Sequence, residues 1–379
     1  MNKIKVAHVL HSVGGVDVYL RLVTENINPN EIENIIIHQQ EENDKLNYFA
    51  KDKTQVREYK LPIQREISLI QDFKSIISTI KILRKEKPDL IHAHSAKGGI
   101  IARTASLFYR VNVLHTPHAY SFLSAESNFK KSVFLTIERI FKHVNSYLLA
   151  TSKSELQQGI VKVGYKKERA LLFNNSILPI KTFKELSIDK SWPDNYICSV
   201  GRPSYQKNIE FMIDVIYELK KSNYNIHLVL MGVGFHAPNL NVVKEKIKEL
   251  DLVKNVTLLD WTSRDDIFNI IKDSQLYIST SRYEGLPYSV IESLALRKPI
   301  VATNCDGNKD LVKHEYNGYL VQNESVVEMS GYIENILNSE ELKLKFSENS
   351  FQYFLDNFDL TKNIEKLEQQ YKNLVKTKK

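Results

Sequence analysis

The chain has 379 residues, 42% of them apolar and 26% charged, a length and balance suited to two or three cored domains and unsuited to wholesale disorder. Its net charge of +7 favours an anionic partner, either a phosphorylated substrate or an acidic membrane surface, and no nucleic-acid module is visible. The two cysteines, Cys198 and Cys305, supply no disulfide framework, and each sits in an apolar run that reads as a buried strand.

Met1 opens almost at once into a strand, without the apolar core of a signal peptide, and no run of about 18 uncharged apolar residues is present to span a bilayer. A cytoplasmic location is expected. Ile4 to Leu10 reads as a strand buried on both faces, followed by a Gly14-Gly15 turn and a helix from near Val16. Ile35-Ile36-Ile37 marks a second buried strand. Ser68 to Lys85 carries Leu69, Phe73, Ile76, Ile77, Ile80 and Leu83 at helical spacing, and Pro88 stops it. Strands are then expected at Asp89 to His94, Val111 to His115 and Ser146 to Ala150, with a helix at Phe129 to Val144. Residues Leu178 to Asn195 hold two prolines, several lysines and little periodicity, as a linker would. The alternation restarts with strands at Tyr196 to Val200, Ile226 to Met231, Val256 to Leu259, Leu276 to Thr280 and Pro299 to Thr303. Helices are expected at Ile209 to Lys221 and Ser263 to Lys272, and the end is all helix: Val326 to Leu337, Glu341 to Phe358 and Leu360 to Val375.

Two doubly wound α/β domains with a cleft between them follow, with ligands beyond the carboxyl ends of the strands. The expected boundaries are an N-terminal domain over 1–180, a linker over 181–195, a C-terminal domain over 196–358 and a terminal helix over 359–379.

Five strand-end loops then carry the candidate chemistry. His11 to Asp17 contains paired glycines, which let backbone amides approach a phosphate; the alternative is a tight strand-to-helix turn. In His92-Ala93-His94 two histidines share one strand face, but no third metal ligand is evident in the sequence, so no metal is expected. Lys97 and Arg103, at a Gly98-Gly99 turn, suit an anion or are solvated surface charges. His115 to Tyr120 places His118 in a loop as a catalytic or hydrogen-bonding candidate. Gly201 to Asn208 offers Arg202 and Lys207 to a diphosphate, ahead of the positive end of the next helix, and is not a P-loop. Last, Glu284 and Glu292 bracket a Gly285-Leu286-Pro287 turn, and such a pair accepts hydrogen bonds from sugar or ribose hydroxyls.

At these residues the sequence resembles the family 4 retaining glycosyltransferases of the GT-B fold. Glu284-x7-Glu292 is similar to that family's most specific motif, Gly201-Arg202 with Lys207 to its diphosphate clamp, and Gly14-Gly15 with His118 to its N-terminal landmarks. Asn174 to Ile177 stands where a Pro-Asn-Gly-Ile-like element precedes the linker, and Asn317-Gly318 matches a turn after the nucleotide site. The resemblance implies that Arg202 and Lys207 hold the donor diphosphate, with Gly15, Gly201, Gly285 and Leu286 in the donor site. Glu292 would bind the ribose, Glu284 the donor sugar, and His118 the transferred sugar or acceptor. It implies no metal cofactor, and no Asp-x-Asp element is present. Asp17 stands where many members carry Glu, and Asn175-Ser176 where Asn-Gly is usual.

His94 to Gly99 is also similar to a stretch in bacterial enzymes that extend polyprenyl-diphosphate-linked sugars, which implies acceptor contacts from Lys97 and Arg103. The partners expected are a nucleotide-sugar donor, UDP-linked, and a glycan or lipid-linked acceptor in bacterial surface-polysaccharide assembly. The transferred group would be a hexose or N-acetylhexosamine. Phe129 to Val144 sets Phe129, Val133, Phe134, Ile137, Ile140 and Phe141 against Lys130, Lys131, Arg139, Lys142 and His143, so it either lies on an anionic membrane or packs on the sheet. Two other functions fit less of the pattern: a sugar-nucleotide epimerase of the same fold, and a non-catalytic binding protein.

Overall fold

The computed structural model describes residues 3–12, 14–39, 47–64, 68–125, 127–234 and 237–376. Met1 and Asn2, ahead of the first expected strand, and Val13 of the first loop lie outside them. The chain divides into two compact units, one of residues 1–175 with 360–379 and one of 176–359.

The first unit is a seven-stranded sheet: β1 (Ile4–Val9), β2 (Ile32–Gln39), β3 (Arg57–Leu61), β4 (Leu90–His94), β5 (Asn112–Thr116), β6 (Ser146–Ala150) and β7 (Ala170–Leu172), in the spatial order β3-β2-β1-β4-β5-β6-β7. All its pairings are parallel. Helices α1 (Gly15–Thr24), α2 (Leu69–Glu86), α3 (Ser95–Ser106), α4 (Asn128–Phe141) and α5 (Lys153–Gln158) supply the crossovers, and the C-terminal helix Leu360–Lys376 packs on the same sheet. The central strands are buried on both faces because helices cover both. Odd-numbered positions such as Ala7, Val9, Ile91, Ala93 and Val113 join Ile101, Ala102 and Ala105 of α3 in one core cluster.

The second unit holds β8 (Tyr196–Val200), β9 (His227–Met231), β10 (Val256–Leu259), β11 (Tyr277–Ser279), β12 (Ile300–Thr303) and β13 (Gly318–Val321), in the order β10-β9-β8-β11-β12-β13, again parallel. Helices α6 (Ile209–Lys221), α7 (Leu240–Glu249), α8 (Arg264–Asp273), α9 (Tyr288–Ala295), α10 (Asn308–Leu311), α11 (Val326–Leu337) and α12 (Glu340–Asn357) surround it. Each sheet is filled outward from one strand, β1 or β8, first in one direction and then in the other. The strand order therefore reverses between β1 and β4 and between β8 and β11. In open α/β sheets, ligands bind beyond the strand ends at such switch points.

Several expectations change. No glycine turn follows β4: α3 starts at Ser95, and Gly98 and Gly99 lie inside it. They permit close packing, since a Cβ on Gly98 would come within 2.4 Å of Val9 O, and one on Gly99 within 2.5 Å of His115 Nε2. Cys198 is buried in β8, but Cys305 lies just past β12 and is half-buried. The segment 178–195 is tied to α8: the Ser187 amide and hydroxyl donate to Asp266 at 2.7 and 2.6 Å, and Asn269 donates to Lys184 O at 2.7 Å. Pro287 of the Gly285-Leu286-Pro287 turn is the residue just ahead of α9.

Candidate active site

In the second unit the site forms where β8 and β11 end. After β8 the chain turns at Gly201, runs through Arg202 and Lys207, and enters α6 after Asn208, whose left-handed backbone (φ 50°) aims the helix. After β11 a second loop carries Ser281 to Leu286 into α9. The loops are stitched together: Arg282 N donates to Gln206 O at 2.8 Å, and Thr280 Oγ1 to Lys207 O at 2.9 Å.

Between these loops Lys207 Nζ lies 2.7 Å from Glu284 Oε1. The same oxygen accepts from Ser281 Oγ at 2.7 Å, and Glu284 Oε2 accepts from Gln206 Nε2 at 3.1 Å. Glu284 is 8% exposed, so three donors offset the cost of burying its charge. Burial opposes the charge on Lys207, but the Glu284 carboxylate outweighs it and raises the pKa. Gly307 backs this arrangement. Its φ is +84°, and a Cβ there would lie 2.6 Å from Glu284 Cβ.

Glu292 sits on the first turns of α9 and is 7% exposed. Arg264 Nη2, at the start of α8, donates to its Oε1 at 2.9 Å. Burial raises the Glu292 pKa, and Arg264 pulls it back only in part. Gly285 and Leu286 are buried under the loop, and Arg202 is half-buried on the β8 loop. The structure thus gathers Gly201, Arg202, Lys207, Glu284, Gly285, Leu286 and Glu292 around one switch point. Sequence reasoning missed Gln206, Ser281 and Arg264. No local signal marks Arg264, whose partner is 28 residues away.

The first unit holds the other candidates. Gly15 begins α1. His118, past β5, is half-buried and has left-handed backbone (φ 52°), as does Ala119 (φ 77°). Its Nε2 lies 3.2 Å from His94 Nδ1. His92 and His94 do share a face, their ring centroids 4.0 Å apart. The missing third partner is His8 of β1: ring nitrogens of His8, His92 and His94 lie within 4.8 Å of one another. Lys97 Nζ is held by both oxygens of Asp72 at 2.8 Å. Arg103 is not a surface charge at all. It is 0% exposed and donates bidentately to Glu138 at 2.9 and 3.2 Å and to Gly99 O at 2.9 Å. Its guanidinium is used up inside the unit, so it is withdrawn as an acceptor contact. On α4, Phe129, Val133 and Ile140 are exposed, and only Phe134, Leu135, Ile137 and Phe141 reach the interior in part.

Two family models match the chain, Glycosyltransferase Family 4 over residues 13–177 and Glycosyl transferases group 1 over residues 182–353. The chain belongs to glycosyltransferase family 4. This glycosyltransferase is 27% identical to an Escherichia coli UDP-Gal:alpha-D-GlcNAc-diphosphoundecaprenol alpha-1,3-galactosyltransferase, with 100% of this chain and 99% of the relative covered. It is 24% identical to the capsular polysaccharide biosynthesis glycosyltransferase CapM of Staphylococcus aureus, with 83% and 85% covered. The fold is that of Thermosynechococcus elongatus sucrose-phosphate synthase (TM-score 0.83, 16% identity, 99% and 100% covered) and of Anabaena Alr3699/HepE in complex with UDP and glucose (TM-score 0.78, 16% identity, 97% and 99% covered). It is therefore GT-B, built from two Rossmann-like units. No described helix is long and apolar enough to cross a membrane.

Proposed function

We propose that this glycosyltransferase moves a hexosyl or N-acetylhexosaminyl group from a UDP-sugar to a polyprenyl-diphosphate-linked sugar, with retention at the anomeric carbon, in bacterial surface-polysaccharide assembly. The observation that carries the reading is the pairing of Lys207 with Glu284 beside Arg202 and the start of α6. A diphosphate placed there meets an ammonium group, a guanidinium group and the free amides of a helix N-terminus. It draws Lys207 away from Glu284. The carboxylate keeps Ser281 and Gln206 and gains a free lone pair for a sugar hydroxyl. Glu292, held by Arg264, accepts from the ribose hydroxyls. His118 faces the transferred sugar. As the glycosidic bond breaks, charge grows on the leaving diphosphate, and the fixed cations stabilise it without a metal ion. The E. coli relative supports the choice of a UDP-sugar and a diphosphoprenyl acceptor.

On the acceptor side, Lys97 of α3 meets the lipid diphosphate when Asp72 lets it go. Leu69, Ile70 and Phe73 of α2, which are 83%, 70% and 65% exposed beside Asp72, lie against the prenyl chain or bilayer. The enzyme works at the inner face of the plasma membrane as a peripheral protein.

The test is a thermal-shift screen of UDP-, GDP- and ADP-sugars, followed by transfer assays on a synthetic prenyl-diphosphate sugar with and without EDTA. A UDP-sugar should raise the melting temperature, transfer should proceed in EDTA, and Lys207→Ala should lower kcat/KM by about a hundredfold or more. Conversion of the donor in the absence of acceptor would instead identify an epimerase.

A further inference from the structure

The register of the first sheet sets His8 opposite His92 and His94 opposite Thr116. Period-two alternation sends all four to one face, beneath Tyr19 of α1 and Tyr371 of the C-terminal helix. The three rings are 0% exposed, and every one of their nitrogens has a partner. His92 spends Nδ1 on Tyr371 OH at 2.7 Å and Nε2 on Thr116 Oγ1 at 2.9 Å. The other two rings form a row with His118. His8 Nε2 faces Asn34 Oδ1 at 3.1 Å, His8 Nδ1 faces His94 Nε2 at 3.0 Å, and His94 Nδ1 faces His118 Nε2 at 3.2 Å.

A neutral imidazole has one donor and one acceptor nitrogen, so one fixed end sets the tautomer of every ring in such a row. The Asn34 carbonyl oxygen only accepts. His8 must therefore carry its proton on Nε2 and accept at Nδ1. His94 then donates from Nε2 and accepts at Nδ1, and His118 donates from Nε2.

We infer that Asn34, His8 and His94 are positioning residues: they hold His118 as its Nε2–H tautomer, with Nδ1 a bare acceptor for a hydroxyl of the transferred sugar. The choice of hydroxyl partner rests on the donor reading above; the tautomer does not. Two further observations agree. Burial lowers the pKa of His8 to about 4 and that of His118 to about 3, so neither ring takes a second proton near neutral pH. The left-handed backbone at His118 and Ala119 is held by Glu155, whose Oε1 accepts from Ala119 N at 2.8 Å. Sparsely populated backbone persists where the surroundings enforce it. A divalent cation among His8, His92 and His94 is the competing occupant. It would have to break this row, and no carboxylate joins the group among the described residues.

The experiment is a long-range 1H–15N correlation spectrum of the full chain, labelled at histidine and recorded at neutral pH, with His118 assigned by His118→Gln. The expected result is a protonated Nε2 and an unprotonated Nδ1 on His118. His94→Phe should scramble that tautomer and lower kcat by about tenfold or more, with the donor KM little changed. His94→Gln, whose amide keeps an acceptor toward His118 and a donor toward His8, should restore both. An Nδ1–H tautomer in the unmodified protein would overturn the inference without any variant. So would a His94→Phe enzyme with unaltered kcat and tautomer, or one equivalent of zinc bound to the three histidines. If the tautomer is as expected but no UDP-sugar binds, the row stands and the donor reading falls.

Discussion

Arg103 is a charged side chain with no solvent to rely on. Its guanidinium donates within the first unit to Gly99 O and the Glu138 carboxylate, and its guanidinium carbon lies 5.0 Å from the centroid of the Phe141 ring. Removing one member of such a pair strands the other charge, which costs more than removing both. Arg103→Met should therefore lower unfolding stability by about 3–5 kcal/mol, and Arg103→Met with Glu138→Leu should recover most of it. Urea unfolding followed by circular dichroism measures both; a single variant as stable as the parent would refute the argument. In sequence, Arg103 looks like a solvated cation near two glycines because Glu138 is 35 residues away. Arg264 was hidden from view for the same reason. By contrast, Lys207, Glu284 and Glu292 were legible, since each lies on or just after a loop that follows an apolar strand, where ligand chemistry concentrates.

At the scale of elements, periodicity located the interior and failed at the edges. The Ile209–Lys221 and Val326–Leu337 helices and the Ser146–Ala150 strand fall where the pattern puts them. β3 escaped because Arg57-Glu58-Tyr59-Lys60-Leu61 is an edge strand with only Leu61 buried, and β7 because three half-buried residues carry no period. Nor does the period of α4 tell which apolar side chains the sheet takes. Phe129 and Ile140 are 78% and 60% exposed, next to Lys130, Lys131 and Arg139. Apolar side chains flanked by cations suit the interface of an anionic bilayer. Lys130→Glu with Lys131→Glu should weaken partitioning onto phosphatidylglycerol vesicles in a flotation assay by about thirtyfold, about 1 kcal/mol for each lysine lost, and leave the UDP-sugar thermal shift unchanged. Equal flotation of both proteins would leave the exposed face without a membrane role.

For the whole molecule, the two units differ in how they answer to acid. The first contains His8, His92, His94, His115 and His118, all with pKa values lowered chiefly by burial; for His8 and His115 the value is about 4 and for His118 about 3. In the unfolded chain each titrates near 6.5. Between about pH 6.5 and pH 4 the unfolded state thus binds protons that the folded unit refuses, and stability falls as pH falls. The contribution is complete above the unfolded value and is lost downward through this window, at about 1.4 kcal/mol for each unit of lowering in each ring. In the second unit, the described histidine with a lowered pKa is His227, at the start of β9. Hydrogen exchange on the full chain, corrected for intrinsic rates, should show β1 and β4 losing protection from pH 7.5 to pH 5 well before β8 and β9. Uniform loss, or none, would mean that the histidine layer is already solvated or protonated in the native state. The row that sets the His118 tautomer would then lack the dry surroundings on which it depends.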